Sequence, residues 1–312
     1  MTMKITVKDI QQAHGRISPY IHRTPIFESR ALNKIIGCEL LFKAENFQKI
    51  GAFKARGACN AVFSMDEPSL QKGVITHSSG NHGAALARAA QLRGIPAWIV
   101  VPENALSSKK AAIRHYGADI IECASTLDAR ESSLAALVKD KQCQVVPPYD
   151  DALVIAGQGT AGLELTEQVD HLDCIVAPVG GGGLLAGCVL AADGKIAVYG
   201  AEPAGADDAY RSFQAGVRVN SHKPTTIADG LRTVLGVSNF EIIQSSVKDI
   251  LLVSEDEIID AMALLWTRLK QVVEPSSAVT LAAVLRNPDV FRGKRVGLML
   301  TGGNVDIGDL PF

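Results

Sequence analysis

The chain has 312 residues, enough for two domains of ordinary size. Hydrophobic residues make up 47% and charged residues 21%, which supports a sizeable core without disulfides or metals. With 31 basic and 33 acidic side chains the net charge is −2, so no bulk positive field is offered to nucleic acid. No apolar run approaches the ~20 residues that span a bilayer. The N-terminal MTMKITVKDIQQAHGR is polar and lacks a secretory core. Six scattered cysteines form no CxxC pair, which fits free thiols in a reducing cytosol. The composition predicts a cytoplasmic α/β protein that needs neither a membrane nor nucleic acid.

Short apolar runs rich in β-formers recur along the chain. In order they are ELLFKAE (39–45), GVITHS (73–78), AWIVV (97–101), DIIEC (119–123), QVVP (144–147), CIVAPV (174–179), IAVYGAE (196–202), DILLVS (249–254) and RVGLMLT (295–301). Between them lie stretches of helical periodicity, such as HGAALARAAQLRG (82–94) and SSKKAAIRHYGA (107–118), each stopping at or near glycine. This alternation predicts two open parallel-sheet domains with helices on both faces. The strands between 73 and 147 are evenly spaced, which predicts a small domain at 73–150 inserted into a larger one built from 1–72 and 151–312. Ligands of such sheets bind at the carboxyl ends of strands.

Four loops at those ends carry unusual residues. After CIVAPV, Gly180, Gly181, Gly182 and Gly183 open a helix, where bare N–H groups can converge on a phosphate. Gly181, Gly183 and Ala186 also satisfy a dinucleotide-type G-x-G-x-x-A pattern, with Glu202 following, so a nicotinamide-dependent oxidoreductase is an alternative. The loop Ser78-Ser79-Gly80-Asn81 follows a strand and aims amides at an anion. Lys54 sits behind Phe53 in QKIGAFKARGA; an amine placed there loses solvation and can condense with an aldehyde or act as a base. Thr301, at the end of RVGLMLT, presents a hydroxyl that can cap a ring nitrogen. Pyridoxal phosphate has an aldehyde, a phosphate, a phenolate oxygen and a ring nitrogen, and these four loops offer one partner for each.

These motifs run almost end to end: HRTPIFESRALN, FKAENFQKIGAFKARGA, THSSGNHGAAL, VIAGQGTAGLEL, PVGGGGLLAG, YGAEPAGADDAY, TIADGL, VEPSSAV and TGGNVD. The chain closely resembles the fold-type II pyridoxal-phosphate enzymes of the serine racemase / serine-threonine dehydratase family. The resemblance implies Lys54 as the cofactor lysine, with Phe53 beside the ring and Asn81 at the phenolate oxygen. It implies Gly180–Gly183 around the phosphate, Gly230 as a backbone wall and Thr301 at the pyridine nitrogen. Ser78, Ser79, Gly80 and Asn81 would receive the substrate carboxylate. Tyr149 stands where animal racemases place a substrate-touching asparagine, which leans toward dehydratases or hydroxyaspartate-type eliminases. Ser79 leans the other way, since many threonine dehydratases carry alanine there.

The same resemblance implies a divalent cation, magnesium or calcium, at Glu202, the Ala206 carbonyl and Asp208; two carboxylates and a backbone oxygen suit a hard ion. It also raises nucleotide activation by ATP, for which Lys49, Tyr116, Lys270 and Asn304 form part of the pattern, and a homodimer. The expected chemistry is removal of the α-proton of a small β-hydroxy amino acid by Lys54, then loss of water to a 2-oxo acid and ammonia. Serine racemisation accompanies it, with Ser79 serving the opposite face, and 3-hydroxyaspartate is an alternative substrate. A neutral Thr301 cannot keep the ring nitrogen protonated as a carboxylate would, which favours prompt elimination.

Overall fold

The computed structural model describes residues 5–78, 80–105 and 107–312. Its strands are β1 (Ile26–Glu28), β2 (Glu39–Ala44), β3 (Val74–His77), β4 (Ala97–Pro102), β5 (Asp119–Cys123), β6 (Gln144–Val145), β7 (Cys174–Pro178), β8 (Ala197–Pro203), β9 (Asp249–Val253) and β10 (Arg295–Leu300). They form a six-stranded sheet, β1-β2-β10-β7-β8-β9, and a four-stranded sheet, β5-β4-β3-β6. All pairings are parallel except at one edge, where β1 runs antiparallel to β2 with Phe27 opposite Phe42. The two parallel-sheet domains expected from the sequence are both present, and β1 adds an antiparallel edge to the larger. Three residues are too few to carry a readable pattern, and the helix Arg30–Ile36 between β1 and β2 returns the chain to the sheet edge.

The last strand is the keystone of the larger sheet. β10 enters between β2 and β7, so Leu298 faces both Phe42 and Val176 in register. Val296, Leu298 and Leu300 are fully buried in the layer on one face, and Met299 in the layer on the other. That period of two is what a strand covered on both sides requires. Each such side chain contributes roughly 1.5–3 kcal/mol of burial, so this strand holds both helical layers to the sheet. One layer includes Ala278 to Val284 of the helix Pro275–Arg286; the other includes Leu184 and Leu185 of the helix Gly183–Ala192.

The smaller sheet is likewise covered twice. The helix Asn81–Arg93, which ends at Gly94 in the left-handed region (φ 66°), supplies Ala84, Leu86 and Ala90 to one side. Leu134, Leu137 and Val138 of the helix Leu127–Lys141 pack on the other. Packing around this sheet begins before residue 73: Ala61, Val62 and Leu70, expected with the larger sheet, lie in its core. They belong to helices that follow the β2 loop, and the apolar side of those helices meets the nearer sheet.

The helix Lys54–Phe63 also crosses the helix Ala152–Gln168 at a glycine pair. A Cβ on Gly157 would stand 2.6 Å from the Gly57 Cα, so neither position tolerates a side chain at this approach. Asp151 caps the second helix by accepting from Leu153 N (2.9 Å) and Val154 N (3.0 Å). The six cysteines are free thiols, five of them buried. Among the described residues, no helix is long and apolar enough to cross a membrane.

Candidate active site

Because β2, β10, β7 and β8 are neighbours, the loops leaving their carboxyl ends emerge side by side. These loops carry Lys54, Thr301 and Gly180–Gly183, and Glu202 is the last residue but one of β8 itself. After β2 the chain makes two short turns, the second with Ile50 at φ 60°, an uncommon conformation for a β-branched residue. Ala52 then pairs with Gly302, and Phe53 N donates to Thr301 O at 2.9 Å. This tie sets Lys54 at the head of its helix beside Thr301, although 247 positions separate them in sequence (301 minus 54).

Lys54 Nζ donates to Pro148 O at 2.6 Å and lies 5.2 Å from the centre of the Phe53 ring. Burial lowers its pKa to about 8, against a smaller opposing pull from Glu274. Pro148 precedes Tyr149, whose ring lies on the glycine loop. A Cβ at Gly181 would fall 2.2 Å from that ring, so only glycine admits it. The loop carrying Tyr149 is pinned by Asp150, which accepts from Val237 N (2.8 Å) and Ser238 N (3.0 Å). Gly180 backs onto Leu231 and Gly230, and Gly230 N donates to Ser276 Oγ at 3.0 Å. The first turn of the helix Gly183–Ala192 leaves its N–H groups without intrahelical acceptors, facing this cradle.

From the smaller sheet, the loop after β3 brings Ser78, Gly80 and Asn81 to the same place. Gly80 N donates to Ser78 Oγ at 3.4 Å, and Gly80 caps the helix that Asn81 opens. Ser79 lies outside the described residues. The Asn81 amide donates to both Glu274 oxygens (3.0 and 3.2 Å) and accepts from Asn304 Nδ2 at 2.8 Å. Thr301 Oγ1 is 3.1 Å from Ser277 Oγ, which also donates to Gly302 O.

Glu274 was not singled out by the sequence, although it lies in VEPSSAV. Burial and the nearby Asp229 charge raise its pKa to about 7, with the Asn81 amide pulling the other way. In the folded chain it binds a proton more readily than an ordinary carboxyl of 4.5. Its contribution to stability is therefore present below about 4.5 and is lost as pH rises through about 7. Glu274→Gln should remove that loss and stabilise the variant over the parent at pH 8, by up to about 3 kcal/mol for the whole shift. Denaturant midpoints at pH 5 and pH 8 measure it; equal pH slopes for parent and variant would refute the assignment.

The three residues expected at a cation site lie at the end of β8 (Glu202) and in the turn and helix start that follow it (Ala206 and Asp208). Glu202 and Asp208 are fully buried, as is Ala206. Glu202 accepts from Ala209 N (3.0 Å) and Tyr210 N (2.8 Å), and Asp208 Oδ2 from Leu235 N (2.8 Å). Burial raises the pKa of both carboxyls. A cleft of about 340 Å³ lined by Asn46, Phe47, Gly51, Lys270 and Asn304, among others, holds two of the four residues expected around a nucleotide; Lys49 and Tyr116 are not in its lining.

Residues 17–302 match the family model described as "Pyridoxal-phosphate dependent enzyme". The chain is 51% identical to serine racemase of Dictyostelium discoideum over 98% of its length and 97% of the relative's. It is 49% identical to beta-hydroxyaspartate dehydratase of Paracoccus denitrificans (strain Pd 1222), over 98% of each. The solved threonine deaminase from T.th. superposes with a TM-score of 0.92 at 44% identity, covering 97% of this chain and 99% of that one. The chain belongs to the pyridoxal-phosphate-dependent enzymes.

Within them it falls in the serine racemase / serine-threonine dehydratase group, with fold type II. The nicotinamide alternative is thereby overturned. The residues present fit pyridoxal phosphate. A desolvated amine, a cradle that a single Cβ would fill, and a buried Thr301–Ser277 hydroxyl pair supply the donor set it needs.

Proposed function

We propose that the chain is a serine/threonine ammonia-lyase with serine racemase activity. The observation that carries this is the Lys54 amine, with a pKa of about 8, held on Pro148 O where the glycine loop, Asn81 and Thr301 meet. When bound, pyridoxal phosphate supplies an electron sink that makes the α-proton of an amino acid removable. Phe53 flanks the cofactor ring, Asn81 addresses its phenolate oxygen, Thr301 its ring nitrogen, Gly180–Gly183 its phosphate and Gly230 one wall. Ser78, Ser79, Gly80 and Asn81 receive the substrate carboxylate, with Tyr149 against the substrate. Lys54 takes the α-proton from its own face. Loss of the β-hydroxyl as water leaves an enamine, and after its release a second water molecule hydrolyses it to a 2-oxo acid and ammonia. Mg²⁺ or Ca²⁺ at Glu202, Ala206 and Asp208 buttresses the loop at Leu235, which abuts Gly182. The same reading has a homodimer in the cytoplasm, modulated by ATP.

Racemisation needs a second group opposite Lys54, and Ser79 is our choice. Ser79→Ala should suppress D-serine formation by roughly a hundredfold or more, while L-serine or L-threonine dehydration largely survives. Both rates are read on one preparation, with chiral analysis of the residual amino acid. Parallel loss of both rates, or undiminished D-serine, would remove Ser79 from this role.

A second reading takes 3-hydroxyaspartate as substrate. The 49% identity to beta-hydroxyaspartate dehydratase of Paracoccus denitrificans supports it. Turnover of L-serine, L-threonine and 3-hydroxyaspartate side by side decides between the two readings.

A further inference from the structure

Beyond β8, one side chain near the acidic pair has no role in the reading above. His222 lies in the irregular segment before Thr226, and its side chain is 5% exposed. Among the described residues neither of its ring nitrogens has a hydrogen-bond partner, and Asp208 Oδ1 has none either. Buried imidazole nitrogens left this way are costly, so a native chain that keeps them gives them a partner of another kind. His222 Nε2 and Asp208 Oδ1 face each other at 3.5 Å. That is beyond the ordinary N–H···O range of up to about 3.2 Å. Two donor atoms each about 2.1 Å from one ion stand roughly 3.0–3.4 Å apart at octahedral to tetrahedral angles, close to the observed gap.

We propose that His222 is a nitrogen ligand of the cation held by Asp208, and that it turns this site toward first-row transition divalent ions and away from Ca²⁺. The proposal rests on the cation site read above, adds a ligand to it, and replaces the Mg²⁺ or Ca²⁺ of that reading with a transition-metal ion. Among the described residues no three histidine, cysteine or acidic side chains already surround one point. The folded chain thus presents a facing pair, His222 and Asp208, and the ion draws in the Ala206 carbonyl, Glu202 and water. Glu202 can take part while accepting its backbone N–H bonds, because each carboxylate oxygen has a second lone pair. Imidazole binds ions such as Co²⁺ and Zn²⁺ far better than Ca²⁺, which takes oxygen ligands. Asp208 also holds Leu235 N through its other oxygen, and Leu235 lies against Gly182. An ion here therefore braces the wall behind the glycine loop.

The test uses chelator-treated holoenzyme and two probes, Co²⁺ alone and Ca²⁺ alone, with affinities from equilibrium dialysis and thermal shift. Wild type should prefer Co²⁺ by at least about tenfold. His222→Leu should lose about tenfold or more in Co²⁺ affinity while Ca²⁺ affinity moves less than about threefold. His222→Gln carries the same comparison if the leucine variant does not melt cooperatively. In the Co²⁺ form, paramagnetically shifted imidazole proton signals should be present in wild type and missing from the variant. An unchanged Co²⁺-to-Ca²⁺ ratio in both variants would mean a His222–Asp208 contact only, and would overturn the proposal while leaving the cation site standing. Should wild type bind neither ion, and Asp208→Asn change nothing, the underlying cation reading falls with it.

Discussion

Lys54→Ala is expected to eliminate turnover, by roughly ten-thousand-fold or more, together with the visible absorption of lysine-linked cofactor. Both follow from one atom. On the function proposed above, the Nζ nitrogen both condenses with the cofactor aldehyde and takes the α-proton, and alanine supplies neither. Its environment explains why this lysine can do so. At pH 8 a lysine of pKa about 8 is half neutral, whereas one at 10.5 is neutral in only about 0.3% of molecules, a gain of roughly 150-fold in reactive amine. Arginine is no substitute, because its guanidinium stays protonated throughout. The fold should survive, since the change removes an amine that burial already disfavours, and the glycine cradle does not involve the lysine. Absorption spectra and turnover measured on one purified sample check this. Wild-type rates in the alanine variant would end the assignment of Lys54.

The sequence was most informative where chemistry needs an improbable local string. Four successive glycines after an apolar strand, or a lysine directly behind Phe53, are costly or unusual without a ligand, so each could be read from its neighbours. Parallel strands buried on both faces were equally readable, because continuous apolar runs leave little else for them to be. Pairings made by the fold left no local trace. Glu274 reaches the site by meeting Asn81, 193 positions away (274 minus 81), and nothing in VEPSSAV says which carboxylate will lie under which amide. His222 sits in an irregular segment whose composition reads as solvated loop, and only burial against Asp208 distinguishes it. β1 escaped for a different reason, its three residues being shorter than any periodicity. Arg56 was the largest omission: it lies two positions after Lys54, inside a motif quoted for the lysine, and nothing local marks its full burial.

Arg56→Met should be the most destabilising single change outside the cofactor contacts, at about 3–5 kcal/mol. Arg56 is fully buried and holds two carboxylates at once. Its Nε and Nη2 donate to Glu45 at 2.6 and 2.7 Å, and its Nη1 and Nη2 to Glu164 at 2.8 Å each. Lys43, also buried, donates to Glu164 at 2.7 Å, so two cations balance two anions. Burial pulls the Arg56 pKa down, but its two carboxylates more than offset this and raise it; burial likewise pushes Glu164 up, and Arg56 with Lys43 outweighs it. Methionine fills similar volume but leaves two buried carboxylates facing one lysine. The cost is that of an uncompensated buried charge rather than of lost attraction. Adding Glu164→Leu to Arg56→Met restores neutrality, so the double variant should be more stable than Arg56→Met alone, although it carries more substitutions. Because Arg56 lies one turn or less from Lys54, the single variant should also lower turnover in proportion to the fraction unfolded at the assay temperature. Denaturant unfolding of the parent, the single and the double variant measures the coupling. A single variant within about 1 kcal/mol of the parent, or a double variant less stable than the single, would show that the cluster is not a balanced buried charge set.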